Sequence, residues 1–343
     1  MPLERYIRQT IFPGIGEAGQ QKLLAARILI VGCGALGTAL ANNLARAGIG
    51  HLTLIDRDFI ELNNLQRQLL FDEEDLRRNL PKAIAAANKL RLINSEIEIV
   101  PLVEELNYEN VEKLVAAADV ILDGTDNFET RYLLNDVCVK LGKPWVYSGV
   151  IAAYGVTSTI VPGKTPCYRC LFPDPPPPGT TPTCDTGGIV GSIVGTIAAI
   201  AAGEALKLIV GNGKLNMGLL SIDLWQNTFD KLPIERPLPG CPCCDQHNFE
   251  YLEFAGERGS HSTTLCGRNA VQVTVRPAPK INLSELGQRL QSAGALHLEG
   301  NAYLLRFNLE GYDWTVFADA RVIIKGTSEE NSAKTLYARY IGF

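Results

Sequence analysis

The chain has 343 residues, enough for about two domains, and its 32 Lys and Arg against 37 Asp and Glu give a net charge of −5. That balance argues against a protein whose main work is neutralising nucleic-acid phosphates, and 46% apolar with 20% charged residues excludes wholesale disorder. The opening MPLERYIRQT lacks the apolar core of a signal peptide, and nine cysteines, an odd number in a large chain, suit cytoplasmic thiols, metal ligands or a nucleophile better than disulfides.

Residues 27–31 read as a short apolar strand, and 34–48 as a helix with Leu36, Leu40 and Leu44 on one face. A second strand follows at 51–56. Residues 81–93 form a helix with Pro81 near its first turn, where a missing N–H costs nothing. Strands at 96–103, 119–122 and 145–150 alternate with helices at 110–117 and 128–141. Such alternation implies a parallel sheet covered on both faces.

The pattern then changes. Residues 152–161 look like a strand, and a Pro-rich stretch at 172–183 favours an extended segment or an exposed loop. The longest uncharged apolar run, 187–203, falls short of a bilayer span and continues into Glu204 and Lys207, so a buried helix packed through small residues is expected, and no membrane partner. A strand at 218–224 precedes a cysteine cluster at 241–244. Residues 257–264, ERGSHSTT, read as a linker. Beyond it, strands at 271–276, 302–309 and 314–325 and helices at 283–293 and 328–340 make a small α+β module. This module carries a net charge of +3 against −8 for the rest, the mark of a solvated surface or of an acidic protein partner.

Gly32, Gly34 and Gly37 form G-x-G-x-x-G directly after a strand and opening a helix, so that backbone N–H groups and the helix N-terminus can approach a phosphate. Asp56 ends the second strand 19 residues after Gly37, where a carboxylate can accept from ribose hydroxyls. The pattern points to a nucleotide. The fold class that follows is α/β, a Rossmann-like mostly parallel sheet with an antiparallel extension, plus the small C-terminal α+β domain. The expected division is 1–257 for the nucleotide-binding part and 258–343 for the accessory part.

An NAD-dependent oxidoreductase is one reading of such a loop. Against it, no His base is evident among four histidines, and no Tyr-x-x-x-Lys pair exists. Asp56-Arg-Asp58 followed by Asn63-Asn64-Leu-Gln66-Arg67-Gln68 suits a polyphosphate better than a nicotinamide ring. Arg67, and Lys82 at a helix start, could neutralise a triphosphate, with two surface cations as the plain alternative. Asp123-Gly-Thr-Asp126-Asn127 closes the fourth strand. A carboxylate there can hold Mg²⁺ against phosphates, or cap the next helix.

Cys167-Tyr-Arg-Cys170 and Cys241-Pro-Cys243-Cys244 are two CxxC pairs about 70 residues apart. Two such pairs complete a closed four-thiolate zinc site that staples distant parts of the chain, with Cys167, Cys170, Cys241 and Cys244 as ligands and Cys243 spare. Cys184 lies between the Pro-rich loop and the small-residue helix, where it is either an inert thiol or a nucleophile. Cys138 and Cys266 sit among apolar residues and read as packing.

Taken in order, Arg5-Tyr-Ile-Arg8-Gln9, ILIVGCGALG, LIDRDFIELNNLQRQ, Pro81-Lys82, DGTDN, CYRC and a late CxxC resemble the ThiF/MoeB/HesA family, bacterial relatives of ubiquitin-activating enzymes, over about residues 4–250. The resemblance implies a homodimeric enzyme that uses ATP and Mg²⁺ to adenylate the C-terminal glycine of a ubiquitin-fold sulfur carrier protein ending in Gly-Gly, of the ThiS/MoaD type. Acyl-adenylate and pyrophosphate are the products, and later sulfur transfer calls for a sulfur donor protein. It implies that Asp56 holds the ribose, that Asn64, Arg67 and Lys82 hold the phosphates, and that Asp126 binds Mg²⁺. Arg8 would reach across the dimer to the other subunit's ATP. The four cysteines match zinc ligands, and Cys184 matches a cysteine that links covalently to the carrier in some members. The C-terminal module lies outside the resemblance. A non-catalytic nucleotide-binding scaffold is a further alternative, opposed by the presence of Arg8, Arg67, Lys82 and Asp126 together.

Overall fold

The structure is a computed structural model that describes residues 3–176, 184–234, 236–253, 259–265, 269–276 and 281–342. The chain divides into two compact units, Met1–Ala255 and Gly256–Phe343.

Two short helices, α1 (Ile7–Thr10) and α2 (Gly16–Ala25), open the first unit. They set no apolar period in the sequence. The alternation follows: β1 (Arg27–Val31), α3 (Ala35–Ala47), β2 (His51–Ile55), α4 (Glu73–Arg77), α5 (Lys82–Ile93), β3 (Glu98–Leu102), α6 (Val111–Ala116), β4 (Val120–Asp123), α7 (Phe128–Leu141) and β5 (Trp145–Ile151). These strands pair in parallel in the order β3-β2-β1-β4-β5, so that the direction of winding reverses between β1 and β4. Helix α3 buries Leu36, Leu40 and Leu44 and stops at Gly48, whose φ of 81° suits a residue without a Cβ.

Past β5 the sheet changes sense. A turn through Ala152, at a φ of 50°, returns the chain as β6 (Tyr154–Ile160). Then come α8 (Tyr168–Leu171), α9 (Cys184–Gly187), α10 (Gly191–Val210), β7 (Leu219–Asp223), β8 (Thr228–Leu232) and α11 (Glu250–Glu253). Strands β6, β7 and β8 extend β5 antiparallel into an eight-stranded sheet. Helix α10 is long and apolar enough to cross a bilayer, but it packs Ile193, Ile197, Ala198, Ala201 and Ala205 into the core shared with Leu40, Leu44 and Val146. It begins at Gly191 rather than 187. The preceding segment is tied in an extended form, with Ala152 N–H donating to Gly188 O and Val190 N–H to Ala152 O, each at 2.9 Å.

The second unit is an antiparallel sheet with two helices: β9 (Gly259–Leu265), β10 (Ala270–Arg276), α12 (Leu283–Ser292), β11 (Leu296–Gly300), β12 (Leu304–Leu309), β13 (Tyr312–Phe317), β14 (Val322–Lys325) and α13 (Glu330–Tyr340). The strand order is β11-β12-β13-β14-β10-β9. Its core gathers Val271, Leu286, Phe307, Trp314, Val316 and Leu336. The expected linker at 257–264 is corrected here. Residues 259–265 form β9, paired residue for residue with β10 from Gly259↔Arg276 to Leu265↔Ala270. A Ser/Thr-rich edge strand gains its energy from ladder hydrogen bonds on one side, so it lacks the apolar alternation that reveals a strand.

Candidate active site

The first unit's loops meet where the sheet reverses. The chain leaves β1 through Gly32, at a φ of 89°. A Cβ on Gly32 would stand 2.7 Å from Gly124 O, and one on Gly37 would stand 1.9 Å from Gly32 O. A Cβ on Gly124 would stand 2.8 Å from Gly32 O and 2.8 Å from the Gly37 Cα. The loop after β1, the first turn of α3 and the loop after β4 thus touch backbone to backbone, which only glycine permits. Gly34 is the N-cap of α3 and supplies no side-chain cap, leaving the first N–H groups of that helix for an anion. This junction lies outside the carboxyl ends of β1 and β4, the place where open α/β sheets bind ligands.

Charged groups surround it. The Asp56 carboxylate accepts from Cys33 N–H and Asp58 N–H, each at 2.6 Å, which pins it beside the glycine loop. Burial raises its pKa against the pull of Lys82, and Asp58 raises it further. Lys82 opens α5, its backbone N–H donates to Asp58 O at 2.8 Å, and its Nζ lies 3.3 Å from Asp58 Oδ2. Burial of Lys82 works to lower its pKa, but the carboxylates of Asp58, Asp56 and Asp126 outweigh it and hold the ammonium charged. Asp56, Asp58, Lys82 and Asp126 are therefore one electrostatic group.

The segment after β2 lies on the same side. Asn64 is buried, accepts from Glu61 N–H at 3.1 Å and donates to Asn63 Oδ1 at 3.0 Å. Arg67 is half-buried, with its guanidinium donating to Asn63 O at 2.7 Å. A Cβ on Gly191 would stand 3.3 Å from Gln66 O, so the start of α10 abuts the Arg67 segment. Gln68 is a residue that spacing alone did not single out. It is 4% exposed, its Oε1 has no hydrogen-bond partner among the described residues, and its Nε2 would lie 4.0 Å from a Gly34 Cβ.

The two acids of DGTDN separate. Asp123 is fully buried; its Oδ1 accepts from Thr125 N–H and Oγ at 2.8 and 2.7 Å, and its Oδ2 accepts from Arg131 Nε at 3.0 Å. Asp126 is exposed, and Asn127 caps α7 by accepting from Thr130 N–H at 2.8 Å. One expected site residue is not gathered here. Arg8 is exposed on α1 and has no hydrogen-bond or ion-pair partner among the described residues. Cys184 begins α9, but its side chain lies outside the described residues, as do residues 177–183 of the Pro-rich stretch.

On the other face of the sheet, Cys167, Cys170, Cys241 and Cys244 bring four sulfurs within 4.8 Å of one another. Cys167 is 3.6 Å from Cys241 and 3.8 Å from Cys170, and Cys170 is 3.5 Å from Cys244. Four tetrahedral thiolates at a zinc–sulfur distance of about 2.3 Å stand about 3.8 Å apart, so the donor set and its spacing fit Zn²⁺. Cys243, left out of the set in the sequence reading, accepts from Asn135 Nδ2 at 3.1 Å.

Residues 6–243 match the model of the ThiF family. The chain belongs to the ThiF family. It is 40% identical over 339 residues to the sulfur carrier protein ThiS adenylyltransferase of Bacillus subtilis strain 168, covering 98% of this chain and 99% of that protein. It is 41% identical over 252 residues to the SAMP-activating enzyme E1 of Haloferax volcanii, covering 73% of this chain and 92% of that one. The crystal structure of E. coli MccB with ATP superposes with a TM-score of 0.58 at 28% identity, over 66% of this ThiF-family chain and 69% of MccB. The family model ends before the second unit, whereas the match to the Bacillus protein runs through it.

Proposed function

We propose that this ThiF-family protein is an ATP-dependent adenylyltransferase that activates the C-terminal glycine of a ubiquitin-fold sulfur carrier, yielding the acyl-adenylate and pyrophosphate. The observation that carries the proposal is the buried Lys82 ammonium, held charged by Asp58, Asp56 and Asp126 beside the Gly32–Gly37–Gly124 junction. A carboxylate is a weak nucleophile, and the α-phosphate it must attack is crowded with negative charge. Catalysis is then mostly positioning and neutralisation.

Within this reading, the first N–H groups of α3 and the side chains of Asn64, Arg67 and Lys82 take the phosphates, Asp56 takes the ribose, and Asp58 orients Lys82. Asp126 would hold Mg²⁺, which supplies neutralisation of the phosphate oxygens. Arg8, exposed and without an intramolecular partner among the described residues, is assigned to the ATP of a second subunit in a homodimer. The four cysteines take a structural Zn²⁺. Cys184 receives the carrier during sulfur transfer from a donor protein. The first unit is the adenylation domain, the second is accessory, and the setting is the cytoplasm.

The test is ATP–pyrophosphate exchange by the purified protein with and without small carriers ending in Gly-Gly. Exchange that appears only with a carrier is the expected result. Absence of exchange with every carrier, together with binding of NAD, would return the protein to the oxidoreductase reading.

A further inference from the structure

Asp126 sits on a loop between β4 and α7, and a metal ligand on a loop needs that loop held. Its neighbours show how. Arg131, in the second turn of α7, is buried and points back beneath the loop. Its Nε donates to Asp123 Oδ2 at 3.0 Å, and one terminal nitrogen donates to Thr125 O at 2.7 Å and Ser148 O at 3.3 Å. The guanidinium lies 5.3 Å from the centre of the Tyr147 ring and 5.7 Å from that of Phe128. One planar group thus joins the end of β4, the carbonyl immediately before Asp126, and β5. Thr125 is held a second time by its own bonds to Asp123. On the far side, Gly124 is wedged against Gly32 and Gly37.

We propose that Arg131 is a positioning residue for metal-dependent nucleotide binding, fixing the β4–α7 loop so that Asp126 faces the phosphates beside Lys82. A lysine cannot replace it, because a single ammonium does not span Asp123, Thr125 O and Ser148 O in one plane. The inference rests on the assignment of Asp126 to Mg²⁺.

The experiment measures ATP affinity of the full, zinc-loaded chain by calorimetry, with and without added Mg²⁺. Wild type, Arg131→Lys, Thr125→Val and Asp126→Asn are compared, with thermal unfolding of each. Asp126→Asn is expected to remove most of the gain in affinity that Mg²⁺ confers. Arg131→Lys should cut that gain about fivefold or more while Mg²⁺-free affinity stays within twofold. Thr125→Val, which loosens the same loop without breaking a buried ion pair, should cut it less and covers the case in which Arg131→Lys does not fold. An unchanged gain in the Arg131 and Thr125 variants, with Asp126→Asn affected, would overturn the positioning role alone. An unchanged gain in Asp126→Asn would overturn the Mg²⁺ assignment and the inference with it.

Discussion

The two units bury different chemistry. In the second, the principal core is apolar, with Trp314 stacked on Phe307 at 5.6 Å among Val, Leu and Ile side chains. In the first, two apolar cores flank the sheet, and at the carboxyl edge of its parallel strands lie Asp123, Arg131, Lys82 and Gln68, all buried. Removing charges from water costs several kcal/mol apiece unless they are paired. An apolar core needs no such compensation. The difference teaches where to look for chemistry: buried groups of both charges gathered at one edge of a sheet mark work to be done there, while the second unit's buried Arg321 lies 3.9 Å from the centre of the Phe317 ring beside an apolar cluster that marks packing.

The largest expected effect bears on the first unit's staple. Structural zinc is worth about 10 kcal/mol or more in small domains. If the four cysteines hold zinc as proposed, Cys170→Ser should lose the metal and unfold the first unit at markedly lower temperature. Cys243→Ser should keep one zinc per chain by elemental analysis, since Cys243 stands outside the four-sulfur group. Equal zinc loss in both variants would break this division of the cysteines.

Next comes the site itself. Arg67→Ala and Asp126→Ala should each lower carrier-dependent pyrophosphate exchange by about 10²–10³-fold, with little change in thermal stability, because both side chains are at least partly exposed. Wild-type exchange in either variant would refute its assigned role.

The apolar unit should answer in the opposite way. Trp314→Ala is expected to cost about 3–5 kcal/mol of that unit's stability. ATP binding by the first unit should persist, measured by calorimetry on the same sample. Loss of both together would show that the units fold as one.

The smallest effect is at the surface of the first unit. Asp72 caps α4, accepting from Glu74 N–H at 2.9 Å and Asp75 N–H at 3.1 Å, and Lys89 lies 2.6 Å away. The bond from Lys89, helped by the Asp75 N–H, lowers the Asp72 pKa to about 2. A depressed carboxylate pKa stabilises the fold fully above its unfolded value near 4, and that stability is lost as pH falls through 2. The side chain is 55% exposed, so solvent screening limits the ionic part to below about 1 kcal/mol. Asp72→Ala should cost about 1 kcal/mol at pH 7, and less at pH 2, by denaturant titration.

Much of the site was legible before any coordinates. The glycine spacing, Asp56, Asp58, Lys82 and the paired CxxC motifs are each carried by a short stretch of chain whose local geometry follows from residue type. The bracing by Arg131 and the burial of Gln68 beside Gly34 were not legible, since nothing in their spacing says that one ties three backbone and side-chain groups together and the other is enclosed with its Oε1 unpartnered among the described residues. The contact of Gly124 with Gly32 and Gly37 joins residues about 90 positions apart, a separation at which no periodicity speaks. Strand β9 was hidden by its polar composition, and the start of α10 was moved by hydrogen bonds to Ala152 that no propensity encodes.

Local chemistry alone was therefore enough for the alternating strands and helices, the glycine loop and the two halves of a four-cysteine cluster. Backbone sterics, helical period and thiol softness act within a few residues. Folding in three dimensions was needed to close the four sulfurs around one point, to part Asp123 from Asp126, and to bring three glycines into contact. Those outcomes depend on which strands become neighbours. In this sheet the neighbours are set by burial and by hydrogen bonding between segments that lie far apart along the chain.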